Sequence, residues 1–184
     1  MSVLKKDLRK GLRNIRESMT IDYKSWSDRV IQKKLLELIS NIKSSWIGFY
    51  FPIHGEPDLL PMASFLQNEG ARICFPRAND DDSLSFYQWR RGDLFDKGRY
   101  LIPELMNGSP EAKIDTIVIP MLGWTLTGYR VGYGKGCFDR FLSEYPEVFS
   151  IGVSYSNLIV NQAFEEEHDL PVHKVITERE IITC

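Results

Sequence analysis

The chain has 184 residues, of which 43% are hydrophobic and 26% charged, a composition typical of a water-soluble protein with one sizeable core. Its net charge of −2 supplies no overall basic field for nucleic acid, and no apolar run reaches membrane-spanning length. Three cysteines without a C-x-x-C spacing argue against a structural zinc site. We therefore expect one domain over residues 1–184, cytoplasmic, a monomer or weak dimer, with a small-molecule substrate and no nucleic-acid or membrane partner.

Two amphipathic helices are predicted at the start of the chain. Over residues 3–19 leucine, isoleucine and methionine recur at helical spacing, and lysine and arginine occupy the opposite face. These cations either form a solvated face or reach an anionic ligand, and Lys5 and Arg9, four residues apart, could grip one polyphosphate together. A second helix is predicted over residues 22–42, with Trp26 in its apolar stripe.

A strand, a helix and a second strand follow in about thirty residues. The strands are predicted at 46–51 and at 71–75, the latter closed by Pro76, and the helix at 57–69. Such a unit has parallel strands, and ligands collect beyond the carboxyl ends of strands in open sheets. Glu56 lies just past the first of these ends, so it either contacts a ligand or is an ordinary charge of the loop or first helical turn.

The second half continues the alternation of strands and helices. Residues 84–89 read as a strand that could pair antiparallel, and residues 93–113 as an irregular segment, functional or mobile. Trp89 and Tyr100 either meet a flat ligand or pack. The expected fold class is α/β, a single domain of three layers with a mostly parallel sheet and helices on both faces. The remaining strands are predicted at 115–120, 149–155 and 172–177.

Three glycines stand at every second position of Gly132–Gly136, with Lys135 among them. A helical run carrying Asp139 begins at once, so free backbone N–H groups and a helix start would point at one anion. Asp139 could hold magnesium or merely complement the helix dipole. The spacing matches neither the P-loop nor the dinucleotide fingerprint, and by itself leaves a phosphate site and a tight structural turn as alternatives.

With these segments in place, nearly the whole chain resembles the 5-formyltetrahydrofolate cyclo-ligase family, also called methenyltetrahydrofolate synthetases. The run from Arg130 to Arg140 is similar to the signature R-L-G-x-G-x-G-Y-Y-D-R, and the run from Lys5 to Arg9 to the motif K-x-x-L-R. Further similar segments, in the family's order, are Tyr50–Asp58, Ile73–Arg77, Asp115–Gly123, His168-Asp169 and Thr177-Glu178.

The resemblance implies an enzyme that converts 5-formyltetrahydrofolate to 5,10-methenyltetrahydrofolate with ATP and Mg²⁺, releasing ADP and phosphate. The formyl oxygen would attack the γ-phosphate, and N10 of the folate would then close the ring and expel phosphate. Such phosphoryl transfer requires positioning and charge neutralisation more than a covalent protein nucleophile.

The resemblance also implies roles for particular residues. Lys135 and Arg130 would be the catalytic cations, and Asp139 and Asp169 would hold Mg²⁺. The residues implied for folate are Phe51, Glu56 and Tyr100, the last stacking on the pterin. The residues implied for ATP are Lys5, Arg9, Arg130, Gly132, Tyr133, Gly134, Lys135, Gly136, Cys137 and Phe138.

This sequence departs from the family pattern at two places. Cys137-Phe138 replaces the usual tyrosine pair, and Glu104-Leu105 replaces a Glu-Pro. The missing hydroxyls motivate an alternative, a folate- or nucleotide-binding protein of the same fold with reduced or lost turnover. A third hypothesis is another α/β enzyme, such as a sugar-phosphate isomerase or an acyl-CoA transferase. Cys137, at a helix start beside Lys135, has either a lowered thiol pKa or no role beyond being small.

Overall fold

The structure, a computed structural model, describes residues 3–42, 44–106 and 110–184. Its helices are α1 (Val3–Glu17), α2 (Ile21–Ile42), α3 (Leu60–Asn68) and α4 (Cys137–Glu144), with 3-10 turns at Arg99–Leu101 and Ser156–Leu158. Its strands are β1 (Trp46–Gly48), β2 (Arg72–Ala78), β3 (Leu84–Gln88), β4 (Phe95–Lys97), β5 (Pro103–Leu105), β6 (Thr116–Pro120), β7 (Gly123–Trp124), β8 (Arg130–Val131), β9 (Phe149–Val153), β10 (Lys174–Ile176) and β11 (Ile181–Thr183).

Seven strands form the main sheet in the order β11-β10-β9-β6-β1-β2-β3. The four inner pairings are parallel, whereas β3 and β11 pair antiparallel at the two edges. Four consecutive residues of β6, Thr116 to Ile119, are buried, so both faces of the sheet are covered at its centre. The predicted α/β class with a mostly parallel sheet is confirmed.

The predicted strand–helix–strand unit is present with shifted ends. Strand β2 does not stop at Pro76 but continues to Ala78. Beyond Cys74 its partner among the described strands is β3, and a proline is tolerated where one side of a strand is unpaired. Helix α3 begins at Leu60 rather than at residue 57. It ends where expected, since Gly70 has a φ of +95° that favours glycine.

The inward face of α1 differs from the predicted apolar face. Leu12 is buried, but Leu4 and Ile15 are 40% and 43% exposed. The side chains buried beside Leu12 are instead Lys5 and Arg16. The helix therefore docks with part of its basic face turned inward, because cations on that face have polar partners in the rest of the chain.

Helix α2 begins one residue before its predicted start and ends at the predicted residue 42. Its buried aliphatic residues are Ile31, Leu35 and Ile39. Trp26, predicted as core, is 47% exposed and packs on the Tyr23 ring at a centroid distance of 5.9 Å.

Two hairpins were missed from the sequence. Strands β4 and β5 pair within the segment 93–113 that was predicted to be irregular; its residues 107–109 lie outside the described residues. Strands β7 and β8 form a second hairpin that separates β6 from the glycine loop, with Gly128 at a φ of +83° in its turn. The loop therefore follows β8 and not the buried strand β6.

One hydrophobic cluster extends from α1 through the sheet to β10. No helix in the described ranges is long and apolar enough to cross a membrane. Two features after the carboxyl ends of strands, the turn that follows β1 and the glycine loop beyond the β7–β8 hairpin, both meet the basic face of α1.

Candidate active site

The glycine loop combines a tight turn with an open cradle. Gly134 and Gly136 have φ angles of +94° and +66°, which favour glycine, and Gly136 immediately precedes α4. A Cβ built on Gly132 would have no atom of the described residues within 4 Å, so space remains beside the backbone there. No side chain in the described part of the chain caps the start of α4. Uncapped N–H groups at a helix start can bind an anion.

Arginines of α1 hold this loop from the other end of the chain. The Nε of Arg9 donates to the carbonyl oxygen of Gly132 at 2.7 Å, across 123 sequence positions. The Nη2 of Arg16 donates to the Tyr133 hydroxyl at 2.5 Å, and the Arg13 guanidinium lies 5.4 Å from the centroid of the Tyr133 ring. The helix thus contributes several positive charges to the surroundings of the loop.

A cationic groove of about 330 Å³ runs between α1 and the loop. Several of its cations are exposed, so the solvated-face interpretation holds for part of α1, whereas Lys5, Arg9 and Arg16 contact the rest of the chain. The groove is lined by Lys6, Arg9, Lys10, Arg13, Asn14, Glu17 and Tyr133.

Arg130 is buried and fixes Asp139, the acid in the first turn of α4. Its Nη2 donates to Asp139 Oδ1 at 2.6 Å, and its Nη1 donates to the carbonyl oxygen of Leu170 at 2.7 Å. The Leu170 N–H in turn donates to Asp139 Oδ1 at 3.2 Å. Burial lowers the pKa of Arg130, while the carboxylates of Asp139 and Asp169 act in the opposite direction. The two predicted magnesium ligands therefore lie around one guanidinium.

Asp169 is held by Lys5. The Lys5 ammonium lies 2.5 Å from Asp169 Oδ2 and 3.1 Å from the Glu166 carboxylate, and the Glu166 N–H also donates to Asp169 Oδ2. Lys5, predicted to contact ATP, is thus paired with a predicted metal ligand.

The residues present fit a magnesium ion that arrives on a nucleotide. Asp139 accepts its hydrogen bonds on Oδ1 and Asp169 on Oδ2, which leaves one oxygen of each carboxylate with no hydrogen bond from a described residue. The described residues contain no group of three or more potential metal ligands. One or two carboxylates suffice for Mg²⁺ when phosphate oxygens and waters complete its coordination.

Glu56, in the turn after β1, is buried with one unsatisfied oxygen. Its Oε2 accepts the Ile53 N–H at 3.0 Å, while its Oε1 is buried without a hydrogen-bond partner among the described residues. Burial raises the pKa of this carboxyl to about 7, and the positive charge of Arg16 opposes that rise. A buried acceptor left unpaired costs stability, so this oxygen is suited to a ligand donor.

Aromatic rings continue the site from Glu56 toward the β4–β5 hairpin. The Phe51 ring stacks on Phe75 at a centroid distance of 4.5 Å and meets the edge of Phe95 at 4.7 Å. Trp89 packs edge-on against Phe75. The sequence left open whether Trp89 meets a flat ligand or packs in the protein. In the structure it packs against this aromatic cluster.

Tyr100 meets the glycine loop directly. The Lys135 ammonium lies 5.0 Å from the centroid of its ring, and its hydroxyl donates to the Asp82 carboxylate. Arg140 reinforces the contact by donating to the backbone oxygens of Asp82 and Lys135, each at 2.8 Å. The hairpin segment and the glycine loop thus share one cluster of charged and aromatic side chains.

Comparison with known proteins places this arrangement in a family. The family model described as "5-formyltetrahydrofolate cyclo-ligase family" matches residues 1–178. The chain belongs to the 5-formyltetrahydrofolate cyclo-ligase family. The assignment made from the sequence, and the enzyme class it carries, are confirmed.

Relatives cover most of the chain at low identity. The 5-formyltetrahydrofolate cyclo-ligase of Mycoplasma pneumoniae is 28% identical over 157 residues, 83% of this chain and 85% of the relative. An Aquifex aeolicus 5,10-methenyltetrahydrofolate synthetase structure superposes with a TM-score of 0.86 at 26% identity, covering 98% of this chain and 93% of the other. A synthetase structure from Mycoplasma pneumoniae has the same fold, with a TM-score of 0.79 at 23% identity and coverages of 95% and 98%.

The structure also corrects the hypothesis of an activated thiol in this cyclo-ligase-family chain. Burial raises the pKa of Cys137, and this effect outweighs the neighbouring positive charges of Arg140 and Lys135. A thiol at that position is therefore mostly neutral near pH 7.

Two residues of the site were missed in the sequence. Arg16 lies seven positions after Arg9 on the predicted basic face, and only its role at the site was not predicted. Phe95 carries no such signal, because the β4–β5 pairing that brings it to Phe51 is a tertiary contact between short strands.

Proposed function

We propose that this protein uses ATP and Mg²⁺ to cyclise 5-formyltetrahydrofolate to 5,10-methenyltetrahydrofolate, releasing ADP and phosphate. The observation that carries the proposal is the contact between the glycine loop and the turn after β1. The ring of Tyr133, between the loop glycines, lies 5.8 Å from the ring of His54 in the turn that bears Glu56. A phosphate bound by the loop would therefore lie near a ligand bound at Glu56.

On the nucleotide side, the exposed Lys135 is the proposed catalytic cation at the transferred phosphoryl group. The loop from Gly132 to Phe138, with Lys5 and Arg9, is proposed to bind ATP. The buried Arg130 already donates to Asp139 and to a backbone oxygen, so its proposed part is to position Asp139. Asp139 and Asp169 would hold Mg²⁺, which neutralises phosphate charge when bound.

On the folate side, the Glu56 carboxylate is proposed to accept hydrogen bonds from N–H groups of the pterin. Phe51 offers an apolar surface to the same ring, and Tyr100 is proposed to stack on it near Lys135. Two rings and a carboxylate would orient the formyl group toward the loop. Orientation of this kind supplies much of the rate in reactions between two bound substrates.

The proposed reaction has two steps. In the first, the formyl oxygen attacks the γ-phosphorus, the bond to ADP breaks, and the formyl carbon becomes an activated imidate-type centre. In the second, N10 attacks that carbon, loses its proton to solvent, and phosphate leaves with the former formyl oxygen. The chain needs no covalent nucleophile for either step, since charge neutralisation and alignment are its contributions.

One assay tests the proposal and its alternative. Protein, 5-formyltetrahydrofolate, ATP and Mg²⁺ are mixed, and the absorbance of the methenyl product is followed, with ATP omitted as the control. An ATP-dependent product signal with matching ADP release is expected. Tight folate binding without turnover would favour the binding-protein alternative, which the absence of both tyrosine hydroxyls at Cys137 and Phe138 motivates.

A further inference from the structure

Arg16 carries a buried charge with an incomplete set of partners. It is 4% exposed, and its Nη2 donates to the Tyr133 hydroxyl at 2.5 Å. Its Nε and Nη1 are buried and have no hydrogen-bond partner among the described residues. A guanidinium in such a position is normally compensated by a carboxylate.

The carboxylate that shares its surroundings is Glu56. It too is buried, at 2% exposure, with its Oε1 unpartnered among the described residues. The turn before it packs on the arginine, since a Cβ built on Gly55 would lie 3.8 Å from Arg16 Cγ. The unpartnered donors and the unpartnered acceptor thus belong to one buried cluster, formed by α1, the turn after β1 and Tyr133 of the glycine loop.

We propose that Arg16 is a positioning residue for the folate-binding carboxylate. Its positive charge favours the ionised form of Glu56, and its hydrogen bond fixes Tyr133 between the phosphate loop and the folate turn. This inference rests on the proposed function for the identity of the ligand at Glu56. The charge coupling between Arg16 and Glu56 is independent of it and can be measured without turnover.

The other groups around Glu56 do not supply the same charge. Tyr50 donates its hydroxyl to the Pro57 carbonyl oxygen at 2.7 Å, and Asp28 of α2 is paired with Lys24 at 2.6 Å and accepts the Tyr155 hydroxyl. The titratable or charged groups that face the cluster are Arg16, Asp28, Tyr50, His54, Tyr133 and Tyr155. Burial sets the pKa of Glu56 at about 7 with Arg16 already opposing it, so loss of that charge raises it further.

The direct test is a carbon NMR titration of the full chain labelled at glutamate carboxyls. The Glu56 signal is assigned by its loss in Glu56→Gln. In Arg16→Gln we expect its titration midpoint to move up by about one pH unit. Arg13→Gln, which removes an exposed cation from the same helix, should leave the midpoint in place. A midpoint unchanged in Arg16→Gln would overturn the proposal.

Kinetics then link the coupling to folate. The acidic limb of kcat/KM for 5-formyltetrahydrofolate should shift upward with the midpoint in Arg16→Gln, with activity regained at higher pH. Arg16→Lys, which keeps the charge, should retain the wild-type limb. An equal loss at every pH, with an unshifted limb, would show a structural role and refute the proposal.

A second variant and the wild-type turnover assay separate the remaining outcomes. If Arg16→Gln does not fold, Arg16→Met removes the charge without burying an amide, and the same shift is expected. If the wild-type protein shows no cyclo-ligase turnover, the proposed function fails by itself, and the NMR midpoints still decide whether Arg16 controls Glu56.

Discussion

Buried charged side chains surround the glycine loop, and they differ in how completely they are paired with groups of opposite charge or with hydrogen-bond partners. Arg130 is neutralised by Asp139 at 2.6 Å, whereas Arg16 and Glu56 retain polar atoms without partners among the described residues. Burial of a charge is costly unless it is paired, so the uncompensated positions are where a ligand gains most. The exposed Lys135 differs from all three because it can move to a phosphate without being desolvated first.

Lys135→Ala should lower kcat/KM for ATP by about 10–100-fold, the loss of one charge-assisted hydrogen bond to phosphate. The melting temperature should stay near that of the wild type, since the side chain is exposed. Lys113→Ala is the matched control, because Lys113 is exposed before the amino end of β6, at the opposite edge of the sheet. Near-normal kinetics for Lys135→Ala would refute its phosphate role.

Asp139→Asn should raise the Mg²⁺ concentration needed for half-maximal activity. The amide oxygen can still accept from Arg130 and from the Leu170 N–H, so the local geometry is largely retained. The buried Arg130 loses its counter-charge, and a lower melting temperature is expected as well. An unchanged metal dependence, measured by titrating Mg²⁺ at saturating ATP, would count against Asp139 as a ligand.

Glu56 predicts a pH dependence of stability. Its folded pKa of about 7 lies above the ordinary value of 4.5, so the folded state binds more protons between these values and stability falls as pH rises through that window. Glu56→Gln removes this penalty, and its stability relative to wild type should increase by about 3 kcal/mol from pH 4.5 to pH 7. Urea unfolding at several pH values measures it.

The exposed Glu147 provides the control for the Glu-to-Gln change itself. A difference between Glu56→Gln and wild type that does not change between pH 4.5 and pH 7 would contradict the raised pKa of Glu56.

At the scale of elements, the loop and α1 form one unit although they are far apart in sequence. Arg9 holds the Gly132 carbonyl oxygen and Arg16 holds the Tyr133 hydroxyl, so the helix fixes the loop from one side while α4 continues it on the other. The glycine spacing left a tight turn and a phosphate site as alternatives; the turn is observed, and the phosphate site stays a prediction. Gly134 and Gly136 make the turn, and Gly132 keeps the cradle open.

The different roles of Gly132 and Gly134 predict different effects for two alanine substitutions. Gly132→Ala should fold with little change in melting temperature and weaken ATP binding, because its Cβ enters the space beside the loop. Gly134→Ala should cost about 1–2 kcal/mol of stability, because alanine resists a φ of +94°. Thermal unfolding and ATP titration of both variants measure these effects. Equal loss of stability in both variants would indicate that the loop is only a turn.

At the scale of the whole molecule, the two ends of the chain meet at the site. Lys5 of the first helix pairs with Asp169 near the last strands, and the turn after β1 meets the loop after β8. A ligand at the proposed site would contact segments from both ends, so its binding should stabilise the whole folded chain.

ATP with Mg²⁺, each ligand at about 100 times its dissociation constant, should raise the melting temperature by about 5–10 °C. At that concentration a ligand that binds only the folded state raises the free energy of unfolding by about 2.7 kcal/mol, which gives this rise in a chain of this size. Scanning fluorimetry with AMP in place of ATP serves as the comparison, since AMP lacks the phosphates proposed to contact Lys135 and the metal. Equal shifts for both nucleotides would argue against a polyphosphate site.

The fold class, the parallel strands and the order of the chemical segments could all be predicted from the sequence. Periodicity of apolar residues identifies elements, and the glycines with Lys135 and Asp139 predict either an anion site or a tight turn. The predictions from sequence were wrong where the structure of a segment does not depend on its neighbours in the chain. The exposed Trp26 and the two missed hairpins depend on packing against distant segments.

Which charges on α1 are solvated and which are buried depends on how the helix packs against distant segments. Helical spacing places Lys5, Arg9 and Arg16 on one side, but their partners Asp169, Gly132 and Tyr133 lie more than a hundred positions away. The protonation of Glu56 and of Cys137 was likewise beyond the sequence, because desolvation depends on what covers a group. Local pattern sets what each segment can do, and burial and long-range pairing determine which of those groups become the site.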